Sequence, residues 1–360
     1  MRRLAFIACC LAIPLLAGCI SPELRTARIA VNEQDWNRAI NSLEAEIARM
    51  PKSAEAYYLK GYCYENLGDW ANMTQAYDRS LAVSGQFDGK IKESRTKLLA
   101  RYFGRAEAAY DSAQTLEKAG ETPTDKIKAF YHTALTNLDT GLVIAPNDIR
   151  LFRQGAVMGY YGKTYDRAVE FASRAVEMEA PGDKELSVRE VLVAVYGYKN
   201  DNESVIRWAK ELMSAVDPNT ETETYLRAFD ALVAAYMNLK QPEKAEETTA
   251  EAIKLFPERT DIKMNLAILM IQREQIPQAK EIFQQILAQA PDHFEANLNL
   301  GTILVNEDKW AEAVPYLEKA QQQQPDNRIA VQNLMAAYYN SGQDKKGAEM
   351  KKKMDALSGE

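Results

Sequence analysis

Apolar and small residues return at one fixed interval between Leu226 and Ser341. Leu232, Leu266, Leu300 and Leu334 stand 34 residues apart, as do Ala245, Ala279 and Ala313, and as do Pro257, Pro291 and Pro325. Within each interval the apolar positions follow the helical period, and a proline closes the unit, so each unit reads as two amphipathic helices joined by a turn. A small alanine where two helices approach and a leucine that fills the gap are packing requirements. Units of this kind begin at Leu226, Thr260, Phe294 and Arg328. The last loses the pattern at Gly347, where the alanine should stand, and its Lys-rich second helix, Lys345 to Leu357, is expected to cap the array with a polar outer face.

The rest of the chain is helical in period but less regular. Leu24 to Val31 and Trp36 to Met50 read as two helices divided by Asn32 to Asp35; Ala39, Leu43 and Ile47 share a face, and Pro51 closes the unit. The next unit places Tyr57, Gly61 and Tyr64 on one helix, Leu67-Gly68-Asp69-Trp70 in the turn, and Met73, Tyr77 and Ser80 on the second. Residues 87–146 break the interval: Ile91 to Ala119 reads as one long helix, Gly120 to Pro123 as a turn, and Lys126 to Ile144 as the returning helix. This stretch is an elongated hairpin or the junction of two subarrays. Phe152, Ala156, Gly159, Tyr165, Ala168, Ala172 and Ala175 define the unit after it, and Tyr196, Val205, Ala209 and Leu212, ending at Pro218, a degenerate one.

With its 34-residue interval, its Gly-Asp turn and its small-against-aromatic pairs, the chain resembles the tetratricopeptide repeat family. The resemblance implies an all-α fold, a right-handed superhelical solenoid of about nine helix-turn-helix repeats, with a concave face lined by the first helix of each repeat. It divides the chain into N-terminal hairpins over 19–86, the elongated hairpin over 87–147, central hairpins over 148–225, the regular array over 226–341 and a capping helix over 342–360.

Beneath the packing pattern lies a second series. Asn265, Asn299 and Asn333 occupy one place in three successive repeats, with Ala231 in the repeat before; seven residues further on stand Asn238, Gln272, Asn306 and Asn340. Seven residues is nearly two helical turns, so both series share a face. An amide offers donors and an acceptor together, which suits it to the backbone of an extended peptide. The asparagine ladder of the O-GlcNAc transferase repeat domain is the family precedent; the competing reading is that these amides bond neighbouring repeats. Between them lie Met264, Ile268 and Ile271 in one repeat and Leu298, Thr302 and Val305 in the next. The apolar members of that set are either anchors for a partner or helix-facing core.

Composition narrows the function classes. The 360 residues are 46% hydrophobic and carry a formal charge of −7, with a pI near 5.3, which argues against nucleic-acid binding. The one strong basic run, Lys345, Lys346, Lys351, Lys352 and Lys353, sits on the last helix, where lysine complements the helix dipole. The two histidines, His132 and His293, are far apart, and the four cysteines show no metal-ligand spacing, so no metal, cofactor or catalytic residue is expected. Gly162-Lys163-Thr164 ends like a phosphate-binding loop, but Val157 stands where that motif needs glycine and no strand leads into it.

The start of the chain reads as an address. Arg2 and Arg3 precede an apolar run from Leu4 to Ala17, the layout of a secretory signal peptide and too short to span a bilayer. The run ends in Leu16-Ala17-Gly18-Cys19, which resembles the lipobox of bacterial lipoproteins. That resemblance implies removal of residues 1–18 and lipidation of Cys19, and Ile20 after the cysteine favours the outer membrane, facing the periplasm. Loss of Arg2 and Arg3 leaves 42 basic against 51 acidic residues, a charge of −9. The function expected is a lipid-anchored scaffold that holds a protein or peptide partner in its groove; the alternative is a pilotin-like assembly factor for a pilus or secretion machine of the outer membrane.

Overall fold

The computed structural model describes residues 20–120 and 125–358. The expected signal segment, Cys19 and part of the turn after Gly120 lie outside the described residues. The chain forms two compact units that divide between Glu179 and Ala180. The first holds α1 (Pro22–Asn32), α2 (Trp36–Arg49), α3 (Ala54–Leu67), α4 (Trp70–Val83), α5 (Asp88–Lys118), α6 (Asp125–Ile144), α7 (Ile149–Tyr161) and α8 (Tyr165–Glu177). The second holds α9 (Leu186–Tyr198), α10 (Asn202–Ala215), α11 (Thr222–Asn238), α12 (Pro242–Leu255), α13 (Thr260–Gln272), α14 (Ile276–Gln289), α15 (Phe294–Asn306), α16 (Trp310–Gln323), α17 (Arg328–Asn340) and α18 (Asp344–Ser358). Consecutive helices pair into nine hairpins among the described residues, the all-α helix-turn-helix solenoid that the sequence predicts.

One turn geometry serves every hairpin whose turn is fully described. A residue just past the end of the first helix is left-handed: Gln34, Gly68, Lys163, Asn200, Lys240, Glu274, Asp308 and Gly342 all have positive φ, between 56° and 77°. In each case the next amide reaches back five residues, as in Asp69 to the Tyr64 carbonyl at 3.0 Å and Gln275 to the Met270 carbonyl at 2.8 Å. This Schellman closure satisfies carbonyls that a helix end otherwise leaves orphaned. At three turns the following aspartate then caps the second helix: Asp35, Asp69 and Asp201 accept from the amides of Arg38, Asn72 and Ser204.

Packing within hairpins follows the sequence pattern. Ala245, Ala279 and Ala313 are fully buried, and Leu300, Leu317 and Leu334 fill the space between helices. Gly301 on α15 admits the Leu317 side chain of α16: a Cβ there would stand 2.6 Å from Leu317 Cγ. At the last hairpin Gly347 replaces the alanine because the Tyr339 ring occupies that space, 2.9 Å from where a Cβ would be.

Two element boundaries differ from the sequence reading. Helix α11 begins at Thr222, four residues before Leu226, because the added turn buries Tyr225 against Phe256, with ring centroids 5.5 Å apart. Helix α5 begins at Asp88 because a 3-10 turn, Gly85–Phe87, runs straight into it and stacks Phe87 on Tyr58 at 4.5 Å. No helix among the described residues is long and apolar enough to cross a membrane.

Candidate functional site: the first-helix face of the second unit

Helices α9, α11, α13, α15 and α17 are the first helices of the five hairpins in the second unit. Side chains that bridge neighbouring hairpins identify the face these helices share. Arg227 on α11 donates to Glu190 Oε1 on α9 at 2.6 Å, and the Thr224 hydroxyl donates to the same oxygen at 3.2 Å. Asn238 Nδ2 donates to Oδ1 of Asn202, at the start of α10, at 3.0 Å. Asn333 Nδ2 on α17 donates to the Thr302 hydroxyl on α15 at 2.8 Å.

On α13 this face is a single exposed stripe: Asp261, Asn265, Ile268 and Gln272. Their spacing of four, three and four residues places them one above another on a 3.6-residue helix. The same positions on α15 are Glu295, Asn299, Thr302 and Asn306, and on α17 Ile329, Asn333, Ala336 and Asn340. Four rows result across these three helices: a mixed charged and apolar row, an amide row, a row of apolar or small residues, and a second amide row.

The amides expected to form a ladder divide by what they bond. Asn299 and Asn340 turn back to carbonyls of their own helices, those of Glu295 and Ala336, at 2.8 and 2.9 Å. Asn238 and Asn333 tie neighbouring repeats together. The side chains of Asn265, Gln272 and Asn306 are exposed and make no hydrogen bond among the described residues. A bare helical position and a capped one look alike in sequence, so only the side-chain partners separate these classes.

Of the two readings open for the apolar residues between the amides, helix-facing core holds for Met264 and largely for Ile271, Leu298 and Val305, which leave the expected groove. Met264 is 8% exposed and belongs to a core cluster with Ala267, Ala279, Phe283 and Leu300; Ile271, Leu298 and Val305 are half-buried against the same core. They sit about 100° round the helix from the exposed stripe or its near neighbours, which turns them toward the second helices. Ile268, at 40% exposure, is the one member of that set that stands open.

Other residues of the face have no 34-residue signal and escape a search for periodicity. Asp230 on α11 is exposed, yet partial burial pushes its carboxyl up, the Asp261 charge pushes it further, and Arg259 pulls it back. Arg259 is itself engaged, gripping both oxygens of Asp261 at 2.9 and 2.6 Å and holding that carboxyl below its ordinary range. Ile329, 57% exposed, adds apolar surface on α17. Only its position on a helix whose register is already known identifies it.

His293 serves as a helix cap, its Nδ1 accepting from the Ala296 amide, and His132 lies exposed on α6. Gly162 and Lys163 lie in the turn between α7 and α8, with Lys163 its left-handed residue. The basic run on α18 is a solvated face: Lys345, Lys346, Lys351 and Lys352 are exposed, and Lys346 reaches Glu318 at 3.0 Å. Among the described residues no three His, Cys, Asp or Glu side chains gather in a metal-binding group.

Comparison with known proteins agrees with this architecture. Profiles described as tetratricopeptide repeat match residues 24–87, 236–300 and 270–338. No curated protein matches the chain in sequence. Among solved structures, YrrB, described as a TPR protein with an unusual peptide-binding site, is 18% identical and covers 54% of this chain and 96% of its own, with a TM-score of 0.42. MamA is 20% identical over 48% of this chain and 91% of its own, with a TM-score of 0.41; MamA from Desulfovibrio magneticus RS-1 is 18% identical over 52% and 97%, with a TM-score of 0.38. Residues 24–87 and 236–338 are therefore tetratricopeptide repeats, set in an all-α chain of helical hairpins.

Proposed function

We propose that this protein is a scaffold of the bacterial cell envelope, held at the outer membrane by acyl chains on Cys19, whose second unit holds an extended segment of a protein partner. The observation that carries the binding half of this reading is the exposed stripe on α13, where Ile268 stands between Asn265 and Gln272, neither of whose side chains is hydrogen-bonded among the described residues. Unbonded amides flanking an exposed branched side chain supply backbone recognition and an apolar anchor together. The protein acts by binding, with no chemistry performed on the ligand. The anchoring half rests on the sequence around Leu16 to Cys19 and on the stability that several acyl chains give a membrane attachment.

The test uses the full chain expressed in a bacterial host, with crosslinking and pull-down from membranes. Replacing Asn265, Gln272 and Asn306 together by alanine is expected to leave the helical circular dichroism intact and to lower partner recovery; unchanged recovery removes the binding claim. Cys19→Ala is expected to move the protein from the membrane to the soluble fraction and to abolish the mass increment of the acyl chains. A protein that sediments with membranes equally well as Cys19→Ala is not anchored there.

A further inference from the structure

The chain enters the first hairpin through a pinned joint. The Ser21 hydroxyl caps α1, accepting from the Leu24 amide at 3.0 Å, and donates to Glu46 Oε2 near the end of α2 at 2.5 Å. Both residues are buried, and Arg49 donates to the same carboxylate oxygen at 3.2 Å. Pro22 then starts the helix, so Ile20 is the single residue between Cys19 and the folded body. Two exposed apolar side chains stand at this end of the hairpin: Ile20, 43% exposed, and Met50, 49% exposed, which follows the last residue of α2. The carboxylates beside them are matched, since Arg49 also lies 3.6 Å from Glu23. Lys52, two residues past Met50, is exposed and offers a cation to a lipid phosphate.

We propose that this end of the first hairpin is a lipid contact, at which Ile20 and Met50 lie in the interfacial layer of the bilayer that carries the acyl chains. The inference rests on the acylation of Cys19 and adds the surface of the folded chain that meets the membrane. An extended chain advances at most about 3.6 Å per residue, so the Ser21 Cα stands within about 7 Å of that of Cys19. The headgroup layer on each side of a bilayer is about 5–8 Å thick. A cysteine acylated at the hydrocarbon boundary therefore keeps Ser21 within the headgroups, and the joint with Glu46 brings the end of α2 down with it. A flexible linker lets a folded body float clear of the lipid, whereas a step of two residues does not. Apolar side chains exposed at that depth leave water for the interface, which adds their burial to the hold of the acyl chains.

The test uses the full acylated chain reconstituted into vesicles of phosphatidylethanolamine and phosphatidylglycerol that contain a nitroxide-labelled lipid. An environment-sensitive fluorophore is attached at Met50→Cys or, as the control, at Asn37→Cys, exposed at the start of α2 and about 20 Å along that helix from Met50. Cys63 does not compete for the label, because it is buried and burial pushes its thiol up to about 11. A blue shift and quenching are expected at Met50→Cys and neither at Asn37→Cys. Insertion of about 20 residues of Gly-Ser linker between Ile20 and Ser21 is expected to abolish both signals at Met50→Cys, while sedimentation with the vesicles and the mass increment of the acyl chains persist. An acylated, sedimenting protein whose probe at Met50→Cys behaves like the one at Asn37→Cys overturns the contact and leaves the anchor standing. Undiminished quenching in the linker variant overturns the short step from Cys19 as its cause. A protein that gains no acyl mass overturns the anchor and the contact together. Helical circular dichroism of each variant checks that the fold is kept.

Discussion

The Asn333 amide donates to the Thr302 hydroxyl one repeat earlier, at 2.8 Å, so one member of the repeated asparagine series holds the array together. The side chain of Asn265, at the same register two repeats earlier, makes no hydrogen bond among the described residues. Identical residues at identical positions therefore do different work. Asn333→Ala is expected to lower stability by about 1 kcal/mol, the usual net worth of a side-chain hydrogen bond. Asn265→Ala is expected to change it by less than about 0.5 kcal/mol, as for most exposed substitutions. Urea denaturation of the two variants measures the difference, and equal destabilisation contradicts the assignment.

The left-handed turns give a prediction of opposite sign. Lys240 and Glu274 hold φ of 57° and 60°, a conformation in which a Cβ crowds the following carbonyl and glycine does not. Glycine also costs more entropy on folding, so the net gain is smaller than the relief of strain. Lys240→Gly and Glu274→Gly are each expected to stabilise the protein by about 0.5–1 kcal/mol, read as a rise in thermal midpoint.

Gly301 is a site where the same exchange runs the other way. A methyl group there meets Leu317 Cγ at 2.6 Å and Cδ2 at 2.7 Å, inside contact distance. Gly301→Ala is expected to cost about 1–3 kcal/mol through overpacking. In a Leu317→Ala background the methyl has room, so the double variant is expected to be more stable than the sum of the singles implies. Strict additivity in that cycle sinks the steric explanation.

Glu318 couples three helices, accepting from the Tyr338 hydroxyl at 2.6 Å and from Lys346 at 3.0 Å. The Tyr338 hydrogen bond, with Lys346 adding to it, holds its carboxyl below the ordinary value of 4.5 despite partial burial. A carboxyl whose folded pKa is depressed contributes stability that is present above its unfolded pKa and is lost as pH falls through the folded value. Glu318→Gln is therefore expected to be less stable than the parent at neutral pH, with the gap closing on acidification below about pH 4. Denaturant midpoints measured for both proteins from pH 3 to pH 7 check the closing of that gap.

Much of the architecture was legible in the chain. The Leu, Ala and Pro series placed the starts of α13, α15 and α17 at Thr260, Phe294 and Arg328, because helix period and proline punctuation are local properties. The start of α11 was not legible, because its extra turn is held by Tyr225 packing on Phe256, a residue 31 positions away. The candidate site was half legible. Its amide rows were visible as repetition, whereas which of those amides are bonded depends on the partner that a neighbouring repeat supplies.

The sequence by itself determined the helical hairpins, their interval and the face on which the amides lie, since each follows from residues within a few turns of one another. The tertiary structure decided that Met264 faces the core while Ile268 faces outward, and that Asn265 is open while Asn333 is bonded. It also decided that Glu274 and Lys240 adopt a glycine-like turn. The physical reason is common to all three. Position along a helix fixes direction to within a fraction of a turn, but exposure, bonding and strain depend on what the next hairpin places opposite.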